Sequence, residues 1–191
     1  MDNLKKYLDT FNPLSIETWN KVKILFSEKA LAKEAHFIDD NQVAKQIAFL
    51  EKGIVRAYYR NNEGKEYNKH FSIAPSFIGG YASLITGRKN SINQQALTEC
   101  KIWVADFDRL SALYEKCRDL EFVARKWAER QFVEKEQREI ELVMLDADKR
   151  YAMLQEQFAD LEQLIPQYHI ASYLGITATQ LSRIRKKFSV H

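Results

Sequence analysis

Apolar positions along this chain change their spacing twice, and the changes divide it into three parts. At the N-terminal end Leu4, Tyr7, Leu8 and Phe11 fall on one helical face. After Asn12-Pro13, Ser15 stands where it can cap a second helix, and Trp19, Val22 and Phe26 recur at helical spacing. Residues 4–29 therefore read as helical. From about residue 30 to 107 the pattern breaks into segments of strand length, at 32–38, 46–50, 54–60, 65–72, 91–97 and 100–105. Asn61-Asn62-Glu63-Gly64 carries the residues of a hairpin turn, and Thr98-Glu99 marks another. Short strands at even spacing predict a small antiparallel barrel or roll.

The third part is helical again. Residues 106–117 read as a short helix with Phe107, Leu110, Leu113 and Tyr114 inward. A long helix follows, from about 119 to 145, with no Gly or Pro in it. About 27 residues at ~1.5 Å each make a rod of roughly 40 Å. Leu120, Val123, Trp127, Ile140, Val143 and Met144 give it a stripe that the charged stretch 134–139 interrupts. A helix this long on a small domain is expected to pack against its symmetry mate, with a solvated helix lying across the barrel as the alternative that its polar centre allows. Asp146 can cap a further helix over 147–160, with Tyr151, Leu154, Phe158 and Leu161 inward. The domain boundary therefore falls near residue 146, with 1–145 holding the roll and the long helix and 146–191 the remaining helices. The fold class is α+β.

The stretch 167–187 carries the sharpest signal. Two short helices meet at Gly175, a residue suited to a turn of positive φ. Ile170, Leu174, Ile176, Leu181 and Ile184 then converge on one inner surface, and Ala171 is small where the second helix must pass over the first. Pro166 fits the start of the first helix. Thr177 with Gln180 reads as a capping box, so the second helix should begin near Ala178. With Leu181 and Ile184 inward, the outer face holds Thr179, Ser182, Arg183 and Lys186. Such a helix-turn-helix presents its second helix to the major groove of double-stranded DNA. The expected DNA-contacting set is Thr177, Ala178, Thr179, Gln180, Ser182, Arg183 and Lys186. From Thr177 onward there are four basic residues and no acidic one, on a chain whose net charge is only +3.

Charge and composition narrow the picture elsewhere. The chain is 46% hydrophobic and 29% charged, with 6 Gly and 3 Pro, an ordinary globular balance with few loops. No apolar run has membrane-spanning length, and the N-terminus lacks the apolar core of a signal peptide, so a cytoplasmic protein is expected. Cys100 and Cys117 stand far apart, so no metal or cofactor is expected. The only glycine-rich patch, Gly79-Gly80-Tyr81 followed by Arg88-Lys89-Asn90-Ser91, could cradle a phosphate or another anion on its backbone N–H groups. Gly79, Gly80, Tyr81, Arg88, Asn90 and Ser91 are thus the candidate effector pocket, with a plain surface turn as the blander alternative.

The order helix, roll, glycine patch, long helix and helix-turn-helix resembles the Crp/Fnr family of bacterial transcription regulators. The most specific residues are Phe77-Ile78-Gly79, Asp146 with Arg150, and Ile170 through Thr177 continuing to Leu181-Ser182-Arg183-Ile184. The resemblance implies a cyclic-nucleotide-binding-type β-roll, a homodimer along the long helix, a near-palindromic DNA site and a possible contact with RNA polymerase. It implies a guanine-reading role for Arg183, whose fork matches O6 and N7. Ala178 and Thr179 stand where the best-known branch has Arg and Glu, so a different half-site is expected. The sequence stops soon after the second helix, so little or no wing is expected. Cyclic-AMP binders of the family carry a Glu where this chain has Gly80 and an Arg where it has Asn90; a neutral Asn cannot make the charge-assisted pair with a cyclic phosphate. A response to cyclic AMP is therefore not expected. Two rival readings remain. One is a cupin-like enzyme or anion sensor that does not bind DNA. It would need clustered ligands, yet His36, His70, His169 and His191 contain no His-x-His pair and two of them lie outside the roll. The other is a sensor module that has lost its DNA contact.

Overall fold

The computed structural model describes residues 1–158 and 160–188. His191, one of the four histidines considered above, lies outside the described residues. Two short helices open the chain, α1 (Asp2–Asp9) and α2 (Ile16–Lys23). Ser15 caps α2, its side chain accepting from Thr18 N at 3.1 Å. Eight strands follow: β1 (Ser27–Leu31), β2 (His36–Ile38), β3 (Gln46–Lys52), β4 (Ile54–Arg60), β5 (Glu66–Ile73), β6 (Ser76–Ile78), β7 (Asn93–Ala96) and β8 (Cys100–Asp106). They form two four-stranded sheets, ordered β1-β8-β3-β6 and β2-β7-β4-β5. The first sheet is antiparallel throughout, with Ala48 opposite both Ile78 and Val104. Between β6 and β7 lies a short helix, α3 (Tyr81–Thr86).

The remaining elements are helical: α4 (Phe107–Ser111), α5 (Arg118–Met144), α6 (Ala147–Gln157), α7 (Leu161–Leu164), α8 (Gln167–Leu174) and α9 (Ala178–Phe188). The class is α+β, as expected. No helix among the described residues is long and apolar enough to cross a membrane. The chain divides into two compact units, Met1–Ala57 with Phe71–Gln131, and Tyr58–His70 with Phe132–His191.

In the first unit one cluster joins Leu4, Leu8, Val22 and Phe26 to Phe49, Phe107, Leu120 and Val123. A second fills the space between strands with Leu31, Ala48, Leu50, Val55, Ile78, Ala96, Ile102 and Val104. The carboxylate of Asp119, at the start of α5, accepts from Ser15 N at 2.9 Å and from the Thr18 hydroxyl at 2.7 Å. Burial alone would raise this carboxyl, but those hydrogen bonds outweigh it and hold the group below its usual 3.8. An apolar cavity of about 40 Å³ lies beside Phe77, Tyr81, Tyr114 and Trp127. Burial pushes the Tyr114 hydroxyl up to about 12.

Three expectations need correction. The helical reading of 4–29 runs too far, because β1 begins at Ser27. The strand expected at 32–38 shrinks to β2 at its end, because the residues between β1 and β2 form a turn in which Glu34 takes φ 71. The first four residues of β1 are exposed, so no alternation marks the strand; pairing with β8, Ser27 opposite Val104, decides it. Strand β6 was not expected either. It is three residues long, and it exists because it pairs with β3.

Candidate functional site

The helix-turn-helix is built as its sequence requires. Helix α8 ends at Gly175, which adopts φ 70, and Ile176 N donates to Ala171 O at 3.0 Å. That six-to-one bond is a Schellman closure, and only glycine enters it without a Cβ penalty. The capping box then starts α9. Thr177 N donates to Gln180 Oε1 at 2.9 Å, and Gln180 N to Thr177 Oγ1 at 3.2 Å. Ile170, Leu174 and Leu181 are fully buried, Ala171 and Ile184 nearly so, and Ile176 is half-buried. This apolar seam clamps α9 onto α8.

The fold sorts the four basic residues of α9 into two kinds. Arg185 faces Glu162 at 3.6 Å, and Lys187 donates to Asp148. The Asp148 carboxylate raises the Lys187 ammonium above its ordinary value. Arg183 and Lys186 are exposed and meet no acidic or accepting partner among the described residues. Thr179 and Ser182 share their outward face, and Thr177, Ala178 and Gln180 are exposed at the helix start. One face therefore offers a guanidinium, an ammonium and two hydroxyls. That combination suits phosphate oxygens and base edges.

Sequence reasoning missed what holds α8 in place. Arg138, on α5, stacks on the Tyr173 ring at 3.9 Å and donates to Tyr173 O at 2.5 Å and to Glu141 at 3.1 Å. Arg150, near the expected domain boundary, donates to Leu174 O at 3.1 Å and Leu145 O at 2.5 Å. Two cations thus satisfy the carbonyls at the C-terminal end of α8, where the helix dipole is negative. Asp146 caps α6 by accepting from Lys149 N at 2.9 Å. Local patterning reveals the Asp146 cap but not the Arg138 contact, which joins residues 35 apart.

The glycine patch is arranged quite differently. Several of its side chains are engaged by neighbouring backbone, while Asn93 Nδ2 and Gln94 Oε1 are buried without a hydrogen-bond partner among the described residues. The Ser83 hydroxyl accepts from Ala44 N at 3.0 Å and donates to Arg88 O at 2.5 Å. Gln94 Nε2 donates to Gly79 O at 3.1 Å. Asn90 is buried, and its amide donates to Ile92 O at 2.5 Å. Gly80 caps α3, and a Cβ there would lie 3.0 Å from Asn90 Oδ1 and 3.3 Å from Ala44 Cβ. Asn90 thus sits against the very place that a side chain at 80 would occupy. Arg88, Lys89 and Ser91 are exposed. The Tyr81 ring leans on Trp127 at 5.2 Å and on Phe107 at 6.1 Å, so it belongs to the apolar cluster of the first unit. Among the six candidate pocket residues, Asn90 lies against Gly80, and Tyr81 N donates to Gly79 O at 3.0 Å.

The family model of the cyclic nucleotide-binding domain matches residues 28–117. A comparison with curated protein sequences returned no match. Among solved structures, the fold is similar to that of the c-di-GMP responsive global regulator CLP of Xanthomonas campestris, at TM-score 0.70 and 14% identity over 92% of either chain. It is similar to FixK2 from Bradyrhizobium japonicum at TM-score 0.74 and 16% identity, covering 86% of this chain and 85% of that one. The catabolite activator protein of Thermus thermophilus matches at TM-score 0.58 and 17% identity, covering 94% and 85%. These neighbours are transcription regulators of the Crp/Fnr type, and the fold is theirs.

Proposed function

We propose that this protein is a sequence-specific DNA-binding transcription regulator of the Crp/Fnr type, acting as a homodimer in the cytoplasm and not responding to cyclic AMP. Residues 1–145 form its effector domain with the dimerisation helix, and residues 146–191 its DNA reader. One observation carries the reading: Arg183 and Lys186 stand exposed on one face of α9, beside Thr179 and Ser182, while the apolar seam behind them is closed. Arg183 reads guanine, Lys186 neutralises phosphate, and Thr177, Ala178, Gln180 and Ser182 complete the contact surface. The C-terminal half of α5 leaves Phe132 68%, Val133 61%, Val143 82% and Met144 74% exposed, an apolar surface that a second copy would cover.

Rejection of cyclic AMP rests on the glycine patch. Gly80 supplies no carboxylate for a ribose hydroxyl. Asn90 carries no charge for a cyclic phosphate, and its amide is already engaged. The residues present do not fit that ligand. The protein has no part in catalysis on this reading. The test is a binding-site selection from random duplexes on the purified protein. A near-palindrome with half-sites one helical turn apart is expected. Recovery of sequences with no dyad would sink the proposal.

A further inference from the structure

Helix α8 is held from a third direction, and that contact has no part in the proposed reading. Strand β5 is the last strand of its sheet, so one of its edges presents N–H and C=O groups that no neighbouring strand receives. The Ser172 hydroxyl meets this edge. It accepts from Asn68 N at 2.9 Å and donates to Glu66 O at 3.2 Å. A single hydroxyl can do both at once. Beside it, the buried Asn68 amide donates to His169 O at 2.9 Å and lies 3.3 Å from His169 Nδ1. Asn68 is 6% exposed and His169 5% exposed, so water does not compete for these bonds.

We propose that Asn68 and Ser172 are positioning residues for the DNA reader: they latch α8 to the edge of β5, and the latch sets where the outer face of α9 points. The proposal rests on the DNA-binding reading. The mechanical chain is short. The latch grips one face of α8 at residues 169 and 172. Arg138 and Arg150 grip its C-terminal carbonyls. The seam of Ile170, Leu174 and Leu181 carries α9 along with α8. Strands β4 and β5 run on from this hairpin into the sheet that also contains β2 and β7. Three hydrogen bonds therefore fix α8 to the β5 edge, without any change in the reader's own sequence.

The experiment uses the full chain and a duplex from the binding-site selection. Affinity is measured for that duplex and for a scrambled one, at one salt concentration, with a melting curve for each variant. Ser172→Ala removes both bonds to the strand edge; Ser172→Thr keeps the hydroxyl. Asn68→Ala tests the second half of the latch, and its melting curve identifies a variant that has simply lost its fold. Ser172→Ala is expected to weaken specific binding roughly tenfold, within the usual range of coupling between sites. Scrambled-duplex binding and melting temperature should stay near wild type, and Ser172→Thr should restore affinity. Equal specific affinity in wild type and Ser172→Ala overturns the latch while leaving the DNA-binding reading intact. Tighter binding by Ser172→Ala also overturns it, since the contact would then restrain the reader. A wild-type chain with no preference for any duplex overturns both.

Discussion

Helix α9 and the glycine patch look alike on paper: each is short, basic and polar, and each reads as a place for an anion. Folding gives them opposite characters. On α9 the side chains leave the backbone at about 100° per residue, so an apolar seam at Leu181 and Ile184 forces Arg183 and Lys186 outward. In the patch the chain turns back on itself, and Ser83, Asn90 and Gln94 find partners in Ala44, Arg88, Ile92 and Gly79. A donor becomes a recognition group only when the fold leaves it unspent. A rigid helix with one buried stripe guarantees this for its outer face, whereas a loop guarantees nothing.

The contrast can be broken most severely from behind α9. Leu174 has no exposed surface, and Leu174→Ala should cost about 2–5 kcal/mol, enough to melt the seam and abolish DNA binding with it. Urea denaturation followed by circular dichroism measures the loss. Arg183→Ala acts on the opposite side of the same helix. It should forfeit about 1–3 kcal/mol of base discrimination, while stability changes by no more than about 0.5 kcal/mol. Paired anisotropy and melting measurements separate the two; a destabilised Arg183→Ala would mean that the side chain is not free.

The patch should respond through packing alone. Gly80→Ala places a methyl 3.0 Å from Asn90 Oδ1 and should cost about 1–3 kcal/mol by overpacking. Adding Asn90→Ala should recover part of that cost, because the two changes share one contact. Strict additivity would show that they do not meet. The smallest expected effects separate the lysines of α9. Lys186→Ala should reduce the slope of log affinity against log salt by about 0.9 if it meets one phosphate. Lys187→Ala should change the slope less, since Lys187 already answers Asp148. Its stability should hardly move, as for any solvent-exposed pair.

Much of the reader was legible before any coordinates. The αL turn at Gly175, the box of Thr177 and Gln180, the caps at Ser15 and Asp146 and the span of α5 each depend on residues within a turn or two of each other. The outer face of α9 followed from the same periodicity. The glycine patch was read as a cradle because its residue types permit one. Nothing in the order of residues says that Asn90 turns inward to Gly80 while Arg88 and Lys89 point away. Nor could spacing tell Arg185 and Lys187 from Arg183 and Lys186, since the acids that occupy the first two come from α6 and α7.

Sequence alone therefore determined the local geometry of this protein: where helices begin and stop, which face of each is apolar, and which side chains α9 sends outward. Those outcomes follow from backbone sterics and from hydrogen bonds three to five residues long. Tertiary structure alone decided that Ser27 starts a strand opposite Val104, that Ser172 completes the edge of β5, and that Asn90 closes against Gly80. Each of these joins groups far apart in the chain, or a loop whose path the surrounding strands impose. Their free energy exists only once the partners have been brought together, so no local pattern announces them.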